Sequence, residues 1–254
     1  MKKASVIIQA RMGSSRLPNK VLMPLAGKPV LEHVIRRCQQ ARLVGRVIVA
    51  TTVEAKDLPV VNFVSGLGVS VFCGAVNDVL DRYYQAARLF DLQHIVRITA
   101  DCPMLDPEVI DRVIVAYFQE KADYTSNTLE PATYPDGEDV EVFSFEALSR
   151  AWTEAVLLSE REHVTPYIRK NDSFSKTRVF HEKDISHLRW TLDETRDYEK
   201  LSAIFDGLYV EDNFFHMKDA LRFLAAHADI DAVNAAIGRN EGYQKSLAND
   251  GKAV

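Results

Sequence analysis

Short apolar, β-branched runs alternate with longer stretches of helical period through the first half of the chain. The runs at residues 5–9, 46–51, 69–73 and 94–99 predict strands. Between them the spacing of apolar positions predicts helices over 29–41, 56–65 and 76–90, and a fourth over 107–118. Asp106 and Pro107 mark the start of that fourth helix, because the carboxylate caps the first turn and proline suits the first helical position. Strand–helix alternation at this interval predicts an α/β protein with a mostly parallel sheet covered by helices on both faces.

The pattern changes after about residue 128. Residues 130–139, EPATYPDGED, carry two prolines and a glycine and read as loop. A strand is expected over 139–143, helices over 144–157 and 160–170, and further strands over 178–181 and 188–192. Asp193-Glu194-Thr195 opens a helix that reaches about residue 207, and the tail from 216 to 237 is helical, with Phe214, Phe215 and Phe223 there for packing. Trp152 and Trp190 are expected in the core or at a subunit interface. No Gly/Ser linker, internal repeat or low-complexity segment interrupts the chain. It reads as a single domain, 1–254, with an insertion or flap near 128–187.

Composition narrows the class without identifying it. The chain has 254 residues, 47% of them hydrophobic and 26% charged, which fits a soluble globular protein. The formal net charge of -5 gives no reason to expect a nucleic-acid partner. Cys38, Cys73 and Cys102 are widely spaced, with no CxxC or Cys/His metal pattern, so a reducing, cytoplasmic location is expected. No stretch approaches the roughly 20 apolar residues of a membrane span, and the N-terminus lacks a signal-peptide core.

The first strand runs directly into a basic loop, VIIQARMGSSRLPNKVLMP at residues 6–24. In an open α/β sheet, ligands bind at the carboxyl ends of strands. Arg11, Arg16 and Lys20 converging there imply an anionic ligand, most simply a polyphosphate. Gly13, Ser14 and Ser15 supply a small-residue turn whose backbone N–H groups can approach phosphate oxygens. The loop matches neither GxxxxGK[ST] nor GxGxxG. A solvated turn would explain the same composition.

Two carboxylates end apolar runs elsewhere. Asp101 follows Ile98-Thr99-Ala100, and a carboxylate at the end of a buried strand is costly unless paired or metal-bound. Asp101 is therefore a candidate ligand for a divalent metal. Asp193 follows Leu188-Arg189-Trp190-Thr191-Leu192 and is the candidate second ligand, with helix capping as its other role. Asp197 falls in the first turn of the same helix, where a carboxylate favours the helix dipole. Gly74, closing another strand, would let a base or ribose approach the backbone, or simply make a turn. Asp139 and Glu141 alternate with Val140 and Val142 as on a half-exposed strand, where their carboxylates could meet sugar hydroxyls.

Together these segments resemble the sugar-activating cytidylyltransferases, the group of CMP-Kdo synthetases and acylneuraminate cytidylyltransferases. The opening pattern A-R-x-x-S-x-R-L-P-x-K is present as Ala10, Arg11, Ser14, Arg16, Leu17, Pro18 and Lys20. Gly27-Lys28-Pro29 resembles the G-K-P before that family's first helix. Residues 77–84 (NDVLDRYY), the Asp101 strand, residues 160–167 (EREHVTPY) and residues 192–197 resemble the spore-coat polysaccharide biosynthesis branch. The likeness extends from about residue 5 to 247.

The resemblance implies a three-layer α/β/α nucleotidyltransferase fold and transfer of CMP from CTP to a sugar, usually an acidic keto sugar, for surface polysaccharide biosynthesis. It implies that Ala10, Arg11, Gly13, Ser14, Arg16 and Lys20 hold the nucleotide, with Arg82 as a further contact, and that Asp101 and Asp193 hold Mg²⁺. It points to 134–141, Arg161, His163 and Tyr167 for the acceptor, with Glu141 in that set. Arg161 suits an acceptor carboxylate by charge, although it sits among Glu160 and Glu162 as on an exposed helix face. Relatives of this kind are commonly homodimers. Other readings are a nucleotidyltransferase using another NTP, a glycosyltransferase, and a non-catalytic nucleotide-sugar binder.

Overall fold

The computed structural model describes residues 2–211, 213–239 and 241–250. The chain opens with β1 (Ala4–Gln9), then the basic loop, a short hairpin of β2 (Pro24–Leu25) and β3 (Lys28–Pro29), and α1 (Val30–Gln40). β4 (Val44–Thr52), α2 (Leu58–Gly66), β5 (Ser70–Gly74), α3 (Val79–Leu89), β6 (His94–Thr99) and α4 (Pro107–Glu120) continue the alternation. β7 (Tyr124–Ser126), β8 (Glu141–Ser144), α5 (Phe145–Glu154), α6 (Leu158–His163), α7 (Pro166–Lys170) and β9 (Lys176–Arg178) follow. The rest is helical: α8 (Thr195–Leu208), α9 (Met217–Ala226), α10 (Ala228–Ala232) and α11 (Glu241–Leu247).

Seven strands form one sheet in the order β5-β4-β1-β6-β8-β7-β9. β4 and β6 flank β1 in parallel, and β5 extends the parallel set beyond β4. β8 alone runs antiparallel, between β6 and β7, and β9 is parallel to β7. The order explains where a ligand can bind. The chain moves outward from β1 to β4 and β5, then returns to the other side of β1 at β6. The boundary of β1 and β6 is therefore a topological switch point, and the loops leaving their carboxyl ends diverge to leave a crevice.

The strands are apolar on both faces because both are covered. Val6, Ile8, Val49, Val96 and Ile98 pack with α1, α2 and α4. Ile7, Ile48, Ala50 and Ile95 point the other way, into α3, α5 and their neighbours. A third core joins α8 and α9 to the β2–β3 hairpin through Leu25, Trp190, Phe205 and Leu224. Trp190 is thus fully buried, while Trp152 is half-buried against the second core, where it stacks on Tyr84.

Differences from the sequence reading lie in the second half. The stretch at 160–170 is two helices, α6 and α7, because Val164 adopts φ 72° and Pro166 lacks the N–H to continue a ladder. The strand expected over 178–181 lies slightly earlier, as β9. Residues 188–192 join no sheet. They run extended between two neighbours, with Trp190 N–H donating to the Asp136 carbonyl (2.6 Å) and Leu192 N–H to the Asp101 carbonyl (2.8 Å). The span 128–187 contributes β8 and β9 to the main sheet. No helix among the described residues is long and apolar enough to cross a membrane.

Candidate active site

The loop after β1 is held from below by a buried carboxylate. Asp57, fully buried, accepts the Met12 N–H at 2.6 Å and the Thr52 hydroxyl. Ser14 Oγ accepts the Leu17 N–H at 3.3 Å, and Asn19 N–H closes back onto the Met12 carbonyl. Asn19 takes the left-handed conformation at φ 61°, one that asparagine tolerates well, and so starts the short turn carrying Lys20. The loop is therefore a built structure whose charges are aimed.

Lys20 is the centre of the site. Its Nζ donates to Asp101 Oδ2 at 2.6 Å and to Asp193 Oδ1 at 2.8 Å. Burial disfavours the Lys20 ammonium, but the two carboxylates outweigh it and hold its pKa above the ordinary lysine value. Burial likewise opposes charge on Asp101, and the Lys20 charge and hydrogen bond reverse this, bringing Asp101 down to about 2. The two carboxylates proposed as cation ligands thus converge on one point, and a cation already sits there. The Leu192–Asp101 backbone bond brings the second carboxylate to the first. Asp193 is not the helix cap: Glu194 takes that position, while Asp197 accepts the Asp193 and Glu194 N–H groups. Asp106 does cap α4, accepting the Glu108 N–H at 2.8 Å.

Arg189 fixes the far side. Its guanidinium is buried and bonds Asp136 (2.7 Å), Asp193 (3.1 Å) and Asp197 (2.9 and 3.0 Å). Gly137 makes this possible. It sits at φ 109°, and a Cβ there would lie 2.6 Å from the Trp190 and Thr191 backbone. Burial and neighbouring Asp139 push Asp136 up to about 7, against the opposing charges of Arg239 and Arg189.

Two cavities meet at this cluster. The first, about 490 Å³, is bordered by Ala10, Arg11, Gly13, Ser14, Arg16, Lys20 and Arg82. The second, about 250 Å³, is bordered by Arg97, Asp139, Glu141, Thr165, Arg169 and Arg189. Gln9, Arg16, Thr99, Asp101, His163 and Asp193 border both. Gln9 Oε1 is buried at this seam without a hydrogen-bond partner among the described residues. A buried amide oxygen left so is an acceptor offered to a ligand.

Most residues expected from the sequence gather here, though some do other work. Arg82 borders the first cavity, but its guanidinium bonds the Ala75 and Val76 carbonyls and so shapes the loop before α3. Glu141 borders the second cavity, fully engaged by Arg97, Tyr124 and Thr165. His163 borders both. Burial, then Arg97, lowers its pKa to about 4, so it is neutral at pH 7, and it hydrogen-bonds Ser246 Oγ at 3.0 Å.

Gly74, Arg161 and Tyr167 are expected residues that fall elsewhere; Tyr167 borders neither cavity, and its hydroxyl donates to Glu154. Gly74 borders neither cavity; its open side is filled by Phe72 and Arg82, which a Cβ would meet at 2.6 and 3.2 Å. Arg161 borders neither cavity: it bonds Asp78 at the start of α3 and the Trp152 carbonyl, pinning α6 in place.

The residue positioned as Arg161 was expected to be is Arg169. It borders the second cavity, and among the described residues its guanidinium makes no hydrogen bond or ion pair. Its neighbours are the Tyr243 ring, 5.8 Å from the guanidinium carbon, and the Glu141 charge. Sequence reasoning also passed over Arg97 and Arg189. Both interrupt apolar runs, HIVRIT and LRWTL, where a charge needs a buried partner.

Comparison with known proteins gives the family. A family profile described as cytidylyltransferase matches residues 5–215. An uncharacterized protein of Methanocaldococcus jannaschii is 35% identical over 247 residues, covering 94% of this chain and 97% of its own. The spore coat polysaccharide biosynthesis protein SpsF of Bacillus subtilis is 32% identical over 206 residues, covering 78% of this chain and 85% of its own. A solved cytidylyltransferase from Leptospira borgpetersenii superposes with a TM-score of 0.85 at 31% identity, covering 91% of this chain and 97% of that one.

Proposed function

The chain belongs to the cytidylyltransferase family, and from that premise we propose that it transfers CMP from CTP to a sugar bearing an anionic group, using Mg²⁺ and releasing pyrophosphate. The observation that carries this reading is the meeting of two cavities at the Lys20–Asp101–Asp193 cluster. One is rimmed by the basic loop and fits a triphosphate; the other offers an acceptor the Arg169 guanidinium, unpaired among the described residues. The kinship with SpsF supports surface polysaccharide as the destination of the product.

In the reaction a sugar hydroxyl oxygen attacks the α-phosphorus. The new P–O bond forms as the bond to the bridging α–β oxygen breaks, the hydroxyl proton passes to solvent water, and pyrophosphate leaves. Arg11, Arg16 and Lys20 neutralise the charge that builds on the phosphates, and positioned charge of this kind supplies most of the rate. Asp101 and Asp193 are hard oxygen donors at one point, which suits Mg²⁺. When bound, that ion would neutralise phosphate charge and lower the pKa of the attacking hydroxyl. With such an ion between the carboxylates, Lys20 would be free to pair with the phosphates. Glu141 acts by holding Arg97 in place, and Arg169 pairs with the acceptor's carboxylate or phosphate.

A pyrophosphate-release assay with Mg²⁺ tests this, using each NTP separately against acidic keto sugars, sugar phosphates and neutral sugars. Release with CTP and an anionic sugar is expected. Release only with another NTP, or with neutral sugars as readily, overturns the corresponding half of the reading. In Arg169→Ala the acceptor KM should rise about 10- to 100-fold, the cost of a lost charge-assisted hydrogen bond, with the CTP KM unchanged. A change confined to CTP removes Arg169 from the acceptor site.

A further inference from the structure

Residues 238, 239 and 241–250 lie beyond the span matched by the family profile, yet they close one side of both cavities. Lys245 and Ser246 border the first cavity, Arg239 and Tyr243 the second, and Gly242 both. The segment is fastened by polar contacts. Arg239 bonds Asp139 (2.8 Å), Ser246 bonds His163 and Glu162, and Asp250 accepts from Ser159. Among the described residues, none from 238 onward joins an apolar core cluster.

One of its contacts falls on the phosphate-binding loop. Arg16 pairs with Glu241 at 3.0 Å, beside Asp193 at 3.0 Å and Glu194 at 3.5 Å. Three carboxylates around one guanidinium leave an excess of negative charge, and a polyphosphate would add more. Asp193 is held there by Lys20 and Arg189. Glu194 is fixed at the start of α8 as its N-cap, whereas Glu241 is tied by Arg16 alone among the described residues and is 39% exposed, so it is the carboxylate that can leave. Lys245 stands four residues further along α11, on the same helix face. Its ammonium makes no ion pair or hydrogen bond among the described residues.

We propose that α11 is a phosphate-responsive cover: Glu241 holds Arg16 until a polyphosphate displaces it, and Lys245 then pairs with that polyphosphate and keeps the cover docked. This deepens the proposed function and rests on its reading that Arg16 binds CTP phosphates. The exchange keeps Arg16 from attracting stray anions and places the walls of both cavities under control of the bound nucleotide.

The test is calorimetric titration of the full-length protein with CTP and, separately, inorganic tripolyphosphate. Wild type is compared with E241Q, K245Q, R16Q and the R16Q/E241Q double variant, each first checked for native circular dichroism. Glutamine keeps side-chain size at these partly exposed positions, so folding should survive. E241Q should bind both ligands about two- to fivefold more tightly, the range of an exposed ion pair. That gain should vanish in the R16Q background, and K245Q should weaken both ligands by a similar factor. Unchanged or weaker binding by E241Q, a gain that persists without Arg16, or wild-type binding by K245Q each overturns the cover. Wild type that binds neither ligand overturns the underlying reading as well; wild type that prefers CTP with no response to E241Q overturns only the cover.

Discussion

At the scale of single residues, the site is organised around a lysine that stands between two carboxylates. Removing one member leaves the others unbalanced, and the direction of the imbalance is predictable. In Lys20→Ala, Asp101 and Asp193 lose the cation between them; Asp193 keeps Arg16 and Arg189, while Asp101 loses its Lys20 ion pair, and burial makes its repulsion from Asp193 costly. Divalent metal should relieve it. Millimolar Mg²⁺ is expected to raise the Tm of Lys20→Ala by more than that of wild type, by about 2–4 °C for each kcal/mol of relief in a chain of this size. Turnover should fall at least about 100-fold, as for loss of a charge aimed at a transition state. Equal Mg²⁺ shifts in the two proteins, read by calorimetry, would place the metal elsewhere. The acceptor side shows why residue type alone misleads. Arg161 and Arg169 are eight residues apart around one break in the chain, and only the turn at Val164 decides which reaches the cavity. A helix read as continuous over 160–170 carries no sign of that turn.

At the scale of elements, the first half was legible because its periodicities are unmixed. The strand at 94–99 is β6 residue for residue, and β1, β4 and β5 differ from expectation only at their ends. Buried parallel strands need continuous apolar runs, and those are easy to see. The second half was harder for a physical reason. β7 and β9 have three residues each, too few to show a period, and residues 188–192 look like a strand yet satisfy their backbone by bonding two loops. The basic loop has the same dependence on a distant tie. Its Met12 N–H ends on Asp57, which the sequence offers only as one acid in a helical stretch. Asp57→Ala strands both Met12 N–H and the Thr52 hydroxyl, a cost of about 1–3 kcal/mol for each buried group left unpaired. The CTP KM should rise about tenfold while the acceptor KM stays within about twofold, since the loop borders the first cavity and the tie is beneath it. Parallel increases in both KM values would mean that Asp57 supports the sheet as a whole.

At the scale of the molecule, stability and catalysis are drawn from different parts of the chain. The three apolar cores take their residues from Ala4 to Ile230, with the β1–β6 boundary near their centre. Among the described residues, those from 238 onward add none, and hold on through ion pairs and hydrogen bonds that are mostly half-exposed. Such contacts contribute about 0–1 kcal/mol each. A chain ending at Ile237 should therefore unfold cooperatively, with a urea midpoint close to that of the full chain and an m-value lowered only slightly. The site should not survive as well. Losing Tyr243 exposes the Arg169 guanidinium to water, losing Arg239 frees Asp139, and both cavities open on one side. Water admitted there weakens every charge interaction that positions the substrates, so kcat/KM should fall by about 10- to 100-fold while the fold persists. Loss of stability in proportion to loss of activity would show instead that the C-terminal segment belongs to the cores.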